Sequence, residues 1–150
     1  MKQKADILKA GISDISEIAD VEEKCIPGGW SEKGFLDWLK NENTVIFKAV
    51  LDDEIIGFAN ASWVLDEGEL LNIAVVENYR NMGIAKELFN YLEKYLKDRK
   101  VEKIFLEVRE KNIPAISFYK SQGFIKNGLR KNYYKNPVDN GVLMMKKIGE

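Results

Sequence analysis

Apolar and polar positions along the chain alternate between two periods, near two and near three and a half, and each switch marks an element. Residues 4–10 read as a strand. Ser13 is placed to cap a helix whose Ile15, Ile18, Ala19 and Cys25 fall roughly on one face. The run Ile26-Pro27-Gly28-Gly29 breaks it. Ser31 can cap a second, short helix, with Phe35, Leu36, Trp38 and Leu39 at helical spacing. Two strands follow, 44–51 and 55–65, joined by the turn Asp52-Asp53. The turn Asp66-Glu67-Gly68 leads into a third strand, 69–76. From Gly83 to Arg99, the residues Ile84, Leu88, Tyr91, Leu92, Tyr95 and Leu96 form the stripe of an amphipathic helix. VEKIFLEV, 101–108, alternates and is rich in branched residues, so it reads as a strand. Pro114 suits the first turn of a helix that begins near Asn112 and ends at Gly123. Strands at 124–133 and 141–148 complete the pattern.

The order is β-α-α-β-β-β-α-β-α-β-β. The helical crossover between strands 69–76 and 101–108 favours parallel pairing of those two. The hairpin-joined strands before them pair antiparallel. The expected fold is therefore α/β: a mixed, mostly antiparallel sheet with helices on both faces and one central parallel pair that can splay apart. Residues 1–150 show no repeat, low-complexity run or linker and read as one domain.

Composition narrows the chemistry. The chain is 45% hydrophobic and 31% charged, ordinary for a soluble globular protein. No apolar run has the length of a membrane span, and the first residues, MKQKADILKAG, lack an apolar signal core, so the expected location is cytoplasmic and off the membrane. The net charge of −1 conceals an asymmetry: the last fifty residues hold ten basic and five acidic side chains. There is no histidine, and Cys25 is the single cysteine. That excludes an intramolecular disulfide, Cys/His zinc sites and histidine-assisted nucleophiles, and no metal site is expected. Carboxylates, tyrosines, lysines, backbone amides or a cofactor must carry any chemistry.

The stretch NIAVVENYRNMGIAKEL places Arg80, Gly83 and Ala85 where a strand passes into a helix. A helix N-terminus exposes unpaired N–H groups and a partial positive charge. Glycine lets those amides approach a diphosphate, alanine keeps the first turn narrow, and arginine adds a fork of donors. Alone, R-x-x-G-x-A is a weak signal, because small residues open many helices.

A second stretch, LEVREKNIPAISFYKSQGF, follows at a fixed distance. Together the two resemble the GNAT superfamily of acyl-coenzyme A-dependent N-acyltransferases. Arg80-Asn81-Met82-Gly83-Ile84-Ala85 matches its Q/R-x-x-G-x-G/A signature. Asn112, Ala115, Tyr119, Gly123 and Phe124 match its N-x-x-A-x-x-x-Y-x-x-x-G-F signature. The element order fits from end to end. Within the superfamily, LLNIAVVENYRNMGIAKEL, RKNYYKN and PGGWSEKGFLDWL resemble the bacterial ribosomal-protein-alanine N-acetyltransferases, the RimI type. Two segments depart from that group: Gly28-Gly29 before Trp30, and Asp139-Asn140-Gly141 where the group has Glu-Asp-Ala. Both fall where the family binds its acceptor.

The resemblance implies acetyl-CoA as cofactor. Backbone groups of Ile73, Ala74 and Val75 would hold its pantetheine arm, residues 80–85 its pyrophosphate, and Asn112 and Tyr119 the arm and the sulfur. It implies Glu107 as general base, through a water, and Tyr119 as general acid. Trp30, Asn72, Tyr133 and Tyr134 would meet the acceptor. From the residues alone, Glu107 could equally pair with Arg109 or a lysine, Tyr119 could be core, and Asn112 a plain helix cap. The chemistry is consistent: an α-amine titrates at about 7.7–8.0, so a modest base suffices, and no covalent intermediate is needed.

The implied activity is acetyl transfer to a protein's N-terminal α-amine, that of an alanine-starting small-subunit ribosomal protein, by a monomer in a ternary complex. A GNAT enzyme acting on a lysine, a polyamine or a small-molecule amine is the alternative, although 126–138 has no acidic cluster for a polycation. A non-catalytic acyl-CoA-binding module is a third reading, against which Glu107 and Tyr119 both stand. Direct nucleic-acid binding is not expected: Lys126, Arg130, Lys131 and Lys135 intersperse with Tyr133 and Tyr134, but no nucleic-acid fold is recognisable and the pI is ≈ 5.7.

Overall fold

The computed structural model describes residues 4–26 and 28–149. Seven strands form one sheet in the order β1-β2-β3-β4-β5-β7-β6. They are β1 (Asp6–Lys9), β2 (Thr44–Leu51), β3 (Glu54–Val64), β4 (Glu67–Val75), β5 (Lys103–Arg109), β6 (Ile125–Tyr134) and β7 (Asp139–Lys147). Every pairing is antiparallel except that of β4 with β5. Four helices cover the faces: α1 (Ile15–Cys25), α2 (Glu32–Leu39), α3 (Ile84–Asp98) and α4 (Ile113–Ser121).

Two cores follow from the periodicities. The α3 stripe Ile84, Leu88, Phe89, Leu92 and Leu96 packs with Ile104, Leu106 and Val108 of β5, and α4 adds Ala115, Ile116 and Tyr119 at its margin. On the opposite face, Ile15, Ile18 and Val21 of α1 and Phe35 of α2 pack with Ile46, Phe58 and Ala74. The alternation read in β5 holds: Ile104, Leu106 and Val108 are buried, and Phe105, Glu107 and Arg109 face the α1/α2 side.

The parallel pair is short. Glu67–Glu69 align with Lys103–Phe105, and there the pairing ends. β5 continues alongside β7 over its whole length, while β4 follows β3, so the two strands diverge. A bulge lies at the point of divergence. Ala61 faces Leu70 and Asn60 faces Asn72, so Leu71 has no partner on β3. One extra residue flips the strand's parity. Leu70 therefore points into the α3 core and Ala74 into the α1 core, although four residues separate them. The bulge also takes the Asn72 N–H off the ladder, and the Asn60 side-chain oxygen accepts it at 3.0 Å.

Several boundaries differ from the sequence pattern for local reasons. Ser13 does not cap α1. It lies in a 3₁₀ turn, Ile12–Asp14, that leads into the helix, and the Asp14 carboxylate reaches back to the Gly11 N–H at 2.9 Å. β4 begins at Glu67 rather than 69, because Leu65 takes a positive φ of 55° and completes the turn earlier. β7 begins at Asp139 rather than 141. Ser31 does cap α2, accepting from Gly34 N–H at 3.0 Å. Pro27, read as part of the break after α1, lies outside the described residues.

Candidate active site

The divergence of β4 and β5 opens a cleft of about 560 Å³. Ile73, Ala74 and Val75 of β4 line it together with Arg80, Asn81, Gly83, Ile84 and Ala85 of the loop and α3, and Tyr119 of α4. Nine of the residues singled out in the sequence therefore meet at one place. Met82 does not; its side chain turns outward and is 41% exposed. Asn112 lies outside the lining as well. Its side-chain oxygen caps α4 by accepting from Ala115 N–H at 3.2 Å.

The cradle is built by backbone. Gly83 takes φ +80° as the residue before α3, a left-handed conformation that strains other residues, and nothing stands within 4 Å of where its Cβ would be. The first helical bond runs from Glu87 N–H to Gly83 O at 3.1 Å, so the amides of Ile84, Ala85 and Lys86 point outward unpaired. Arg80 Nε donates to Val75 O at 2.8 Å, which fixes the guanidinium at the end of β4. Beyond Glu69, the edge of β4 that faces β5 has no strand partner. Unpaired amides, a fixed guanidinium and a free strand edge together can accept a phosphorylated ligand with an extended arm along β4.

Tyr119 closes the cleft. Burial, and then the neighbouring Tyr134, push its phenol up to about 12, so it holds its proton throughout the neutral range. Tyr134 is itself raised, by burial and then by Glu107. Tyr134 therefore lies near both Tyr119 and Glu107.

Glu107 faces the α1/α2 side of this opening. One oxygen lies 3.7 Å from Arg130 of β6, and the other, Oε2, is buried with no hydrogen-bond partner. The alternative reading, a pairing of Glu107 with Arg109, does not occur. Arg109 is held by the carbonyls of Pro137 (2.8 Å) and Lys135 (3.1 Å) and stacks on Tyr134 at 4.5 Å. The Asn72 side-chain nitrogen is also buried and unpartnered. Trp30 packs against Phe35 and Trp38, with ring centroids 5.1 and 5.7 Å away. Tyr133 is exposed at the sheet edge and meets Tyr134 edge-on at 5.1 Å.

The unusual segment 139–141 has structural work. Asp139 is buried and accepts from Lys111 N–H and Asn140 N–H. Asn140 accepts from Asn132 N–H and donates to Glu110. A Cβ on Gly141 would come within 3.2 Å of the Tyr133 ring, so glycine here lets that ring settle on β7.

Sequence reading missed Tyr79, Lys86, Phe118 and Gln122 in the cleft lining, and Asn60 behind it, while Ala115 of the second signature also lines the cleft. The α4 residues 115, 118, 119 and 122 recur at helical spacing, so that stripe was visible. Asn60 depends on a bulge that carries no local signature.

Among the described residues, no cluster of His, Cys, Asp and Glu could hold a metal ion, and no helix is long and apolar enough to cross a membrane. Comparison with known proteins agrees with the geometry. The family model "Acetyltransferase (GNAT) family" matches residues 15–124. The chain is 36% identical over 134 residues to the [ribosomal protein bS18]-alanine N-acetyltransferase of Haemophilus influenzae, covering 87% of this chain and 90% of that one. It is 35% identical over 122 residues to the protein of the same name from Salmonella typhimurium, covering 81% and 82%. The crystal structure of the ribosomal-protein-S18-alanine N-acetyltransferase from Escherichia coli superposes with a TM-score of 0.90 at 30% identity, over 97% of this chain and 95% of that one. The splayed sheet is the fold these proteins share, the acyl-CoA signature lies on its cradle, and the chain belongs to the GNAT family of acetyltransferases.

Proposed function

We propose that this enzyme transfers the acetyl group of acetyl-CoA to the N-terminal α-amine of a protein, the alanine terminus of ribosomal protein bS18. The observation that carries the reading is the pairing of two features across one opening. On the α3 side lies a backbone anion cradle next to a protonated Tyr119. On the α1/α2 side lies a carboxylate, Glu107, with an oxygen free. Relatives above 30% identity that carry the bS18-alanine name support the acceptor.

The residues present fit the donor. Unpaired amides of Ile84, Ala85 and Lys86, with Arg80, would hold the pyrophosphate. The free edge of β4 at Ile73–Val75 would pair with the pantetheine arm as an added strand and set an amide against the developing oxyanion. Acetyl-CoA supplies a thioester there. Glu107 takes the proton of the acceptor amine through a water, and Tyr119 gives its proton to the departing sulfur. Asn72, Trp30, Tyr133 and Tyr134 flank the acceptor. No step uses an enzyme nucleophile, in keeping with a chain that has no histidine and whose Cys25 thiol is turned onto Val75 O.

Intact-mass measurement with acetyl-CoA tests this. The panel is a peptide of the bS18 N-terminus, the same peptide blocked at its α-amine, and a lysine-containing peptide with a blocked terminus. One acetyl group added only where the α-amine is free is the expected result. Transfer to lysine, or to small amines alone, would move the acceptor to another class.

A further inference from the structure

Two Asn-Gly pairs occur in the chain, Asn127-Gly128 and Asn140-Gly141. An asparagine side-chain carbonyl lies one ring closure away from the next backbone nitrogen, and a glycine at that position has no Cβ to block the approach. The fold treats the two pairs oppositely.

Asn140 is tied down. Its Oδ1 accepts from Asn132 N–H at 2.9 Å and its Nδ2 donates to Glu110 at 3.0 Å, so the side chain cannot turn onto its own backbone without breaking both bonds. Gly141 lies in β7, an inner strand, in register with Arg109 on one side and Arg130 on the other. Asn127 has none of these restraints. β6 is the edge of the sheet. Lys126 faces Met144 and Gly128 faces Leu143, which are consecutive residues of β7, so Asn127 is the extra residue of a bulge. It is exposed, and among the described residues no hydrogen bond holds its side chain.

The bulge ends a row that reaches the proposed base. Gly128 pairs with Leu143, and Leu143 pairs with Glu107. The Leu143 side chain fills the space over Gly128, where a Cβ would lie 2.8 Å from it. Arg130, two residues further along β6, is the cation 3.7 Å from Glu107. This row has no slack for a longer main chain at 127.

We propose that Asn127 is a site of self-modification, where the chain loses ammonia and passes to isoaspartate, and that the lengthened backbone displaces the Leu143–Glu107 row and slows acetyl transfer. The Gly128 nitrogen attacks the Asn127 Cγ. A C–N bond forms, the Cγ–Nδ2 bond breaks, and Nδ2 leaves as ammonia with the Gly128 amide proton. Water then opens the cyclic imide. Opening at the side-chain carbonyl leaves aspartate. Opening at the main-chain carbonyl leaves isoaspartate, whose main chain runs through Cβ and Cγ and is one methylene longer. Water is the sole co-reactant, and nothing is oxidised or reduced. The effect on rate rests on the proposed role of Glu107; the modification itself does not.

The test ages the purified full chain at body temperature and mildly basic pH. Peptide mapping by mass spectrometry follows the exchange of NH for O at both asparagines, and an isoaspartate-specific methyltransferase labels the lengthened product. Asn127 should react about tenfold or more faster than Asn140, whose two hydrogen bonds must open first. In denaturant the two should react alike. Aged protein carrying isoaspartate at 127 should transfer acetyl about tenfold more slowly, the scale set by a misplaced catalytic group, with acetyl-CoA binding unchanged. Fresh Asn127→Asp, which adds the charge without the methylene, should keep the wild-type rate, and Asn127→Ser should not age. An unmodified Asn127, an Asn140 that reacts as fast, or the same ratio in denaturant overturns the site. Full activity with isoaspartate in place, or an Asn127→Asp as slow as the aged protein, overturns the consequence. If fresh wild type acetylates no α-amine, the acceptor reading falls, and the mapping still decides whether Asn127 is modified.

Discussion

Tyr119 shows how one side chain serves packing and chemistry together. Its ring packs against Phe124 and Phe118, and the burial that results lifts its phenol to about 12. A tyrosine so buried is a weak acid, but it never loses its proton near neutrality, and in the proposed reaction it would give that proton to a departing thiolate. Removing the hydroxyl keeps the packing and deletes the proton. Tyr119→Phe is expected to lower kcat by roughly a hundredfold or more, the usual contribution of a positioned acid, while acetyl-CoA binding by calorimetry stays within twofold. The raised value also fixes the pH dependence. The protonated form persists until the pH nears 12, so ionisation of Tyr119 contributes no fall in rate through the neutral and mildly basic range. At this scale the cradle was legible, since Gly83 and Arg80 act through backbone geometry and formal charge that their identities disclose. The alternative Glu107–Arg109 pair does not form, because the β6–β7 hairpin carbonyls hold the guanidinium.

The site exists because of an element that pairs too briefly. β4 and β5 share three rungs, and Leu71 then bulges and frees the edge that would receive an extended arm. Element order and the parallel pairing were readable from periodicity, because the helical crossover between 69–76 and 101–108 leaves little choice. The bulge was not: Leu70, Leu71 and Ile73 are all apolar, so no break in alternation marks the extra residue. Asn60 pins it. Asn60 is fully buried among apolar neighbours, and its oxygen takes the one amide that the bulge removes from the ladder. Asn60→Ala leaves that amide buried without an acceptor, which costs about 1–3 kcal/mol. Denaturant unfolding of the variant should show a loss of that size. Acetyl-CoA binding should weaken too, since the free edge of β4 would relax toward the ladder. Unchanged stability would mean that the bulge holds itself.

At the scale of the whole molecule, the sheet separates two faces, and the proposed reaction uses the α3/α4 face for the donor and the α1/α2 face for the acceptor. The order of elements and the share of apolar residues already implied two covered faces. What they could not show is the charge placed beneath the acceptor face. Glu22 of α1 is 1% exposed; one oxygen accepts from Trp30 N–H at 3.2 Å and the other has no partner. Burial raises its carboxyl above the ordinary 4.5, the Trp30 amide offsetting part of the rise. A carboxyl raised in the folded state favours folding most fully below its unfolded value. That contribution is lost as the pH climbs through the folded one. Above that folded-state value, the chain carries a charge under the loop that presents Trp30, with one of its oxygens unpartnered. Glu22→Gln keeps an oxygen for the Trp30 amide and removes the charge. Thermal unfolding of the variant should begin about 2–4 °C above wild type near pH 7.5, the shift that about 1 kcal/mol makes in a domain of this length. The difference should shrink as the pH falls toward 4.5, where the wild-type carboxyl is itself protonated. A variant less stable than wild type at every pH would show that the charged form has a partner in the fold, and that the loop is held by attraction rather than in spite of a buried charge.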